Sequence, residues 1–354
     1  MQNADRERAS REFCDLFLRP NRRQKFILGR NVYAKSVVQS LELDGIIDDF
    51  TKDVSYEGLP VIRTNEIPKD ALVLNAAGGR PLSAREQLDR LGIQNLDYFT
   101  FLRLTELPLH DVVFNEGFPS EYKEHLTEYQ WIYERFADDR SQAIFNKLVG
   151  FRSSLDITYL EGFKTNESVQ YFEDFLELGS RDEVFVDVGC FDGSNSLEFA
   201  RLAPKYRAIH AFEPDPTNFA TSLRNLQGLH DVHLYKMGLS DSSATLGFSP
   251  DGSGSKISNT GAVTVVVNRL DDIIEDSPTF IKMDIEGAEH AALNGAARII
   301  ANSHPRLAIS VYHKAGDFHR IPRLVLSVRD DYDIHLRHYT ESIYETVMFF
   351  IPRT

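Results

Sequence analysis

Short apolar runs alternate with amphipathic stretches along most of this chain, and the alternation has the period of strands joined by helices. Residues 5–18 carry a helical pattern that stops before Pro20. FILGR (26–30) is an apolar run into Gly29, and NVYAKSVVQSLEL is helical in period through Ala34, Val37, Val38 and Leu41. GIIDDF (45–50), LPVI (59–62), ALVLNAA (71–77) and DYFTFL (97–102) read as further strands, with a helix around SAREQLDRLG (83–92). Strands separated by helices predict a parallel sheet with crossover connections, ending near residue 110.

The pattern then changes. Residues 119–150 are charged, rich in aromatics and helical in period, with Leu126, Tyr129, Ile132, Tyr133 and Phe136 on one face; Trp131 reads as a packing residue. Alternation resumes at EVFVDVG (183–189) and continues through AIHAFEP (208–214), DVHLYKM (231–237), FIKMDIEG (280–287), RLAISVYH (306–313), YDIHLRH (332–338) and ETVMFFIP (345–352), seven strand candidates in all. SPDGSGSKISNTG (249–261) reads as a mobile surface loop. The expected organisation is an N-terminal helical segment (1–24), an α/β domain (25–112), a helical connector (113–180) and a second α/β domain (181–354).

Composition narrows the partners. Thirty-nine Lys and Arg against 53 Asp and Glu give a net charge of −14, which disfavours a nucleic-acid partner. The basic lean at Arg19, Arg22, Arg23 and Lys25 reads as a solvated helix end. Two cysteines, Cys14 and Cys190, make no disulfide framework and point to a reducing, cytoplasmic setting. No apolar run reaches the ~20 residues of a membrane span, and MQNADRERASREF lacks a signal-peptide core.

The strongest chemical signal is VFVDVGCFDGSNSLEF (184–199). A buried strand runs into Asp187, Gly189 and Gly193 just before a helix, so backbone and helix N-terminus can approach a ligand closely. The spacing is D-x-G-x-x-x-G, not the dinucleotide fingerprint, and Asp192 would repel a pyrophosphate. An acid at Asp187 suits a ligand with ammonium or sulfonium charge, pointing to S-adenosylmethionine over NAD. Glu213 closes the next strand, where an open α/β sheet grips ribose hydroxyls. Asp241, in GLSD after the third strand, suits an adenine amino group, although turns favour Asp on their own account.

DVGCFDG, FEPDP, Asn225, GLSD, NRLDDI (268–273), KMDIEGAE (282–289) and SVYHK (310–314) occur in the order of FkbM-type S-adenosylmethionine-dependent methyltransferases, which residues 180–354 resemble. The resemblance implies a class I methyltransferase fold, a Rossmann-like sheet of seven strands with the last antiparallel. It also implies S-adenosylmethionine as cofactor and a hydroxyl acceptor on a sugar, glycan or related small molecule. Phe191 departs from the pattern, which usually has Asn there.

Within KMDIEGAE, Asp284 ends the fourth strand, Glu286 and Gly287 make the turn, and Glu289 fits either a helix cap or a site. Asp284 is expected to hold the sulfonium end of the cofactor or to orient the acceptor. No metal is expected, although Asp284, Glu286 and Glu289 are the oxygen donors a divalent cation would want. His313 ends the fifth strand and is the expected general base, with Asp284 and Glu286 beside it and Asp317 to orient it. Cys190 reads as packing.

The N-terminal α/β domain carries a worn dinucleotide fingerprint. Gly29, Arg30, Asn31, Val32, Tyr33 and Ala34 stand where G-x-G-x-x-A would, with Asp48 at the distance of a ribose-binding acid. It resembles the small Rossmann-like domain at the front of some sugar-modifying enzymes. It leaves two alternatives open: an NAD(P)-dependent oxidoreductase using Gly29 and Asp48, or a non-catalytic sugar- or nucleotide-binding module.

Overall fold

The computed structural model describes residues 2–249, 256–257 and 263–353. It divides into two compact units: residues 1–120, 146–166 and 339–344 form the first, and 121–145, 167–338 and 345–354 the second. The sequence boundaries fall differently, since 1–24 lies within the first unit and 113–180 is shared between the two.

The first unit is built on strands β1 (Lys25–Leu28), β2 (Gly45–Ile47), β3 (Ser55–Tyr56), β4 (Leu59–Ile62), β5 (Leu72–Asn75) and β6 (Gln94–Asp97), in sheet order β3-β4-β2-β1-β5-β6. All neighbours are parallel except the β3–β4 hairpin. Phe26, Ile47, Val73, Leu88 and Ile93 form one core of this unit. The helix Gln2–Leu18 buries Phe13 and Phe17, the latter edge-on to Phe101 at 5.6 Å, so it packs as part of the unit. DYFTFL, expected as a strand, is instead the helix Tyr98–Leu104. Its aromatics suit strands by propensity, but Asp97 caps the helix by accepting the Thr100 N–H at 2.8 Å, and the strand lies just before it.

In the second unit the helices Leu126–Tyr133 and Asp139–Ser154 (the latter to residue 145) cover the expected segment. Tyr129 and Ile132 are buried on the first, Tyr133 is half-buried, and Phe136 is buried in the connection between them, bridged to Ile334. Leu126 opens its helix and is exposed. The Trp131 ring carries the Arg323 guanidinium at 3.6 Å and that of Arg135 at 4.5 Å, a packing role.

The strands of this unit are β7 (Val184–Val188), β8 (Ala208–Phe212), β9 (Val232–Tyr235), β10 (Gly238–Leu239), β11 (Ala244–Ser249), β12 (Lys256–Ile257), β13 (Val263–Asn268), β14 (Phe280–Met283), β15 (Arg306–Ser310), β16 (Tyr332–His338) and β17 (Thr346–Pro352). Seven of them make the main sheet, β16-β17-β15-β14-β7-β8-β9, parallel except for β17, which runs antiparallel to both neighbours. These are the seven strands expected, in the class I methyltransferase order. Phe185 stacks on Phe199 and Phe280 at 4.4 and 5.1 Å, pinning sheet to helix. A second sheet, β10-β13-β11-β12, was not read from the sequence. Of the expected loop 249–261, Ser249 and residues 256–257 are strand and the rest lies outside the described residues. Among the described residues no helix is long and apolar enough to cross a membrane.

Candidate functional site

The carboxyl ends of β7, β8 and β14 open on a cleft of about 430 Å³ within the second unit. Open α/β sheets bind ligands at this edge. Gly189, Phe191, Ser194, Asn195, Glu213 and Leu239 line one part of it, and Gln170, Tyr171, Asp284, Glu286, Tyr312 and Glu345 another, with Lys282 also in the wall.

The loop after β7 is held from several directions. Gly189 has φ +75°, and a Cβ there would lie 2.0 Å from the Asp284 carbonyl oxygen, so only glycine fits. The Gly189 and Cys190 N–H groups both donate to the Phe212 carbonyl at 3.0 Å. Gly193, at φ +84° against Leu226, precedes the helix Ser194–Leu202, whose first residues face the cleft. Asn225 donates to the Asp192 carbonyl at 2.8 Å. Glu213 accepts from the Phe191 N–H at 3.0 Å and the Asp215 N–H at 2.8 Å. Burial pushes its carboxyl up to about 7 against those two donors. The Phe191 backbone makes this bond whatever its side chain, so the departure from Asn leaves the loop intact.

Asp187 does not face the cleft. It is fully buried, 3.1 Å from Lys282 Nζ and accepting from Ser196 Oγ at 2.8 Å. The register of β7 on β14 sets Lys282 directly opposite Asp187, and each neutralises the other. Lys282 also donates to the Gly189 carbonyl at 2.6 Å, tying the ion pair to the loop. Asp241 is exposed and lies beyond the cleft-lining residues Gly238 and Leu239; its carboxylate is near Ser240 and Ser242. Cys190 is buried and its thiol is pushed well up by burial, in keeping with packing.

Asp284 is where the sequence places it, at the end of β14. Its Oδ2 accepts from the Tyr171 hydroxyl at 2.7 Å, and its Oδ1 lies 3.5 Å from His313 Nε2. Burial would raise its pKa, but the charges of His313 and Lys282 outweigh burial and hold it below the usual carboxylate range. Glu286, at φ +55°, lies with Oε2 3.7 Å from the same imidazole nitrogen.

His313 is not a base in this setting. Its side chain is 1% exposed, with Nδ1 2.9 Å from Glu289 Oε1. Burial would lower its pKa, but Glu289 first, then Asp284 and Glu286, raise it to about 10. The ring is therefore cationic at neutral pH and has no lone pair to offer. Glu289 is equally buried and accepts from the Ile285 N–H at 2.9 Å, so it braces the turn. Asp317 accepts from the Lys314 N–H at 2.7 Å. Asp284, Glu289 and His313 each place one ligand atom within 4.8 Å of the others, spacing a cation can use, and the imidazolium already supplies positive charge there.

Sequence reading missed Lys282, Tyr171 and Glu345. Lys282 sits inside the KMDIEGAE motif; Tyr171 has no local signature. The signal for Glu345 is topological, because an antiparallel last strand begins at the edge where its parallel neighbours end.

The first unit treats its fingerprint differently. Asn31 accepts from the Ala34 N–H at 3.0 Å, capping the helix Val32–Ser40, and donates to the Ala76 carbonyl at 2.7 Å. Asp48 accepts from the Phe50 N–H at 2.8 Å and lies 3.6 Å from Arg30, which also pairs with Asp53 at 2.8 Å. The side chains a dinucleotide would need are engaged with their own backbone and with each other.

Residues 187–334 match the family model of the methyltransferase FkbM domain. The 2-O-methyltransferase NoeI of Sinorhizobium fredii (strain NBRC 101917 / NGR234) is 29% identical over 148 residues, covering 34% of this chain and 60% of that protein. The chain thus spans about 60% of the length of the curated relative it matches. The crystal structure of methyltransferase FkbM from Methylobacillus flagellatus KT is 26% identical with a TM-score of 0.74, covering 97% of this chain and 93% of that one. Its likeness therefore extends over the first unit as well.

Proposed function

We propose that this chain, whose second unit carries an FkbM-type methyltransferase domain, transfers a methyl group from S-adenosylmethionine to a hydroxyl of a sugar, glycan or related small molecule. One observation carries the reading: a single cleft joins a glycine-tight loop and the acid at the tip of β8 to an ionised carboxylate at the end of β14. Those residues fit the cofactor. Gly189 lets backbone approach it, Glu213 offers carboxylate oxygens to ribose hydroxyls, and Asp284 offers negative charge to a sulfonium. When bound, the cofactor supplies an electrophilic methyl on a positively charged sulfur. The Tyr171 hydroxyl and His313 fix Asp284 from either side, and Lys282 fixes the loop from below. Catalysis on these terms is positioning and charge placement. The relative's printed name, a 2-O-methyltransferase, supports a hydroxyl acceptor.

Titration calorimetry with S-adenosylhomocysteine tests the reading. Binding that is weakened by Glu213→Ala and Asp284→Ala supports it, and no heat at about 1 mM ligand overturns it. Methyl transfer from labelled S-adenosylmethionine to a mixture of methyl glycosides of common hexoses then tests the acceptor class.

A further inference from the structure

Methyl transfer to a neutral hydroxyl releases a proton, and a group within hydrogen-bond reach of the acceptor speeds the step by taking it. The cleft wall holds several titratable side chains, and most are unsuited. Lys282 is a cation paired with Asp187. Tyr171 and Tyr312 have their hydroxyls pushed well up by burial, so both keep their protons. Asp284 is held below the usual range and is a weak base. Glu286 faces the His313 imidazolium. Glu213 is at the tip of β8, with β7 between it and the β14 end that carries Asp284, and on the reading above it faces ribose and not the acceptor. Glu167 is exposed.

Glu345 remains. It stands immediately before β17, whose antiparallel course starts at the edge where β14 and β15 end. The Val311 N–H donates to the Thr346 carbonyl at 2.9 Å, fixing that register. Glu345 has φ +60°, a left-handed backbone unusual for a side chain of this size. Gln170 donates to its Oε2, and the Tyr312 hydroxyl lies 3.4 Å from its Oε1. It is half-buried in the same wall as Asp284.

We propose that Glu345 is the proton acceptor for the hydroxyl that becomes methylated. The inference rests on the methyltransferase reading above. In the step, the acceptor oxygen forms its bond to the methyl carbon as the carbon–sulfur bond breaks, its electron pair staying on sulfur. The O–H bond breaks and its proton passes to the Glu345 carboxylate, leaving a neutral thioether, a methyl ether and a carboxylic acid that later gives its proton to water. The groups acting on Glu345 are Asp284, His313, Glu167, Tyr171, Tyr312 and Gln170. Burial, with the negative charge of Asp284 next, pushes its carboxyl up to about 7, opposed by Gln170 and His313. A base with that affinity is half-ionised at neutral pH and holds a proton well.

The test compares wild type with Glu345→Gln and Glu345→Asp. Three readouts are used: calorimetry with S-adenosylhomocysteine, infrared titration of the protonated carboxyl without cofactor, and labelled methyl transfer to the glycoside mixture. Glu345→Gln is expected to bind S-adenosylhomocysteine as wild type does and to lose roughly 100-fold or more in transfer. Glu345→Asp is expected to keep part of the rate, and the wild-type rate to rise with pH through about 7. The wild-type minus Glu345→Gln infrared difference should show one carboxyl titrating near the same pH, because Glu213, also pushed up to about 7, is common to both and cancels. Transfer by Glu345→Gln within about twofold of wild type, or titration in the ordinary range near about 4, overturns the assignment while leaving the methyltransferase reading intact. Absence of S-adenosylhomocysteine binding or of transfer in the wild type overturns the parent reading and this assignment with it.

Discussion

The chain builds the same local topology twice. In the first unit β4-β2-β1-β5-β6 and in the second β9-β8-β7-β14-β15 follow one order, each with a glycine after its first strand and an acid at or beyond the tip of its second. The two loops differ in where the polar side chains turn. After β1, Asn31 folds back onto Ala34 and Ala76, and Arg30 joins Asp48 to Asp53 beside the Tyr56 ring. After β7, the loop is held by backbone bonds, by Glu213 and by a buried ion pair, and its helix N-terminus faces a cleft. A fingerprint spacing therefore marks the fold, and what its polar residues bond to decides whether it marks a site.

The largest effects expected are at the ion pair. Lys282→Met leaves Asp187 buried without its counter-charge, with only the Ser196 hydroxyl still bonded to it, and should cost about 3–5 kcal/mol of unfolding free energy. Adding Asp187→Asn should recover much of it. Arg30→Met in the first unit breaks pairs whose acids reach water and should cost no more than about 1 kcal/mol. Equal costs in urea denaturation would erase the contrast between the two loops. Next comes Gly189→Ala, where left-handed backbone and a 2.0 Å overlap with Asp284 act together, for about 2–4 kcal/mol and lost S-adenosylhomocysteine binding. Gly29→Ala meets Ala76 at 3.2 Å and should cost less, with cofactor affinity unchanged. Smaller again, Asn31→Ala removes a helix cap and should cost about 1 kcal/mol. If it instead created NADH binding, the first loop would be an obstructed site.

Much of the second unit was legible because buried parallel strands write long apolar runs, and all seven strands of its main sheet were read from them. Asp187, Glu213 and Asp284 stood out as acids near strand ends, yet their roles were only partly readable. Asp187 lies one residue inside its strand tip, and only the register with β14 reveals Lys282 opposite it. His313 looked like a base because its pKa is ordinarily near neutral, but Glu289, four residues after Ile285 in another segment, makes it a cation. DYFTFL misled because aromatic residues favour strands locally while Asp97 decides the helix start. Tyr171 and Glu345 reach the cleft through tertiary structure alone, which no local pattern encodes.

The smallest and most selective contrast is in pH dependence, where the two loops should slope in opposite senses. Burial raises Glu213 from its ordinary 4.5 to about 7. The folded state therefore holds this proton more tightly than the unfolded chain. Its contribution is fully present below about 4.5 and is lost as pH rises through about 7. Glu213→Gln cannot ionise, so its stability relative to wild type should improve across that window and then level off. Asp53 is the reverse: the Arg30 hydrogen bond lowers it below 3.8, so its contribution is present above that value and is lost as pH falls further. Asp53→Asn should thus differ from wild type by a constant above about pH 5 and converge with it in acid. Chemical denaturation of both variants at several pH values checks the pair of slopes. If Glu213→Gln tracks wild type without a change between pH 4.5 and 7, the carboxyl is ordinary and solvated, and the cleft-side loop is no different in kind from the one after β1.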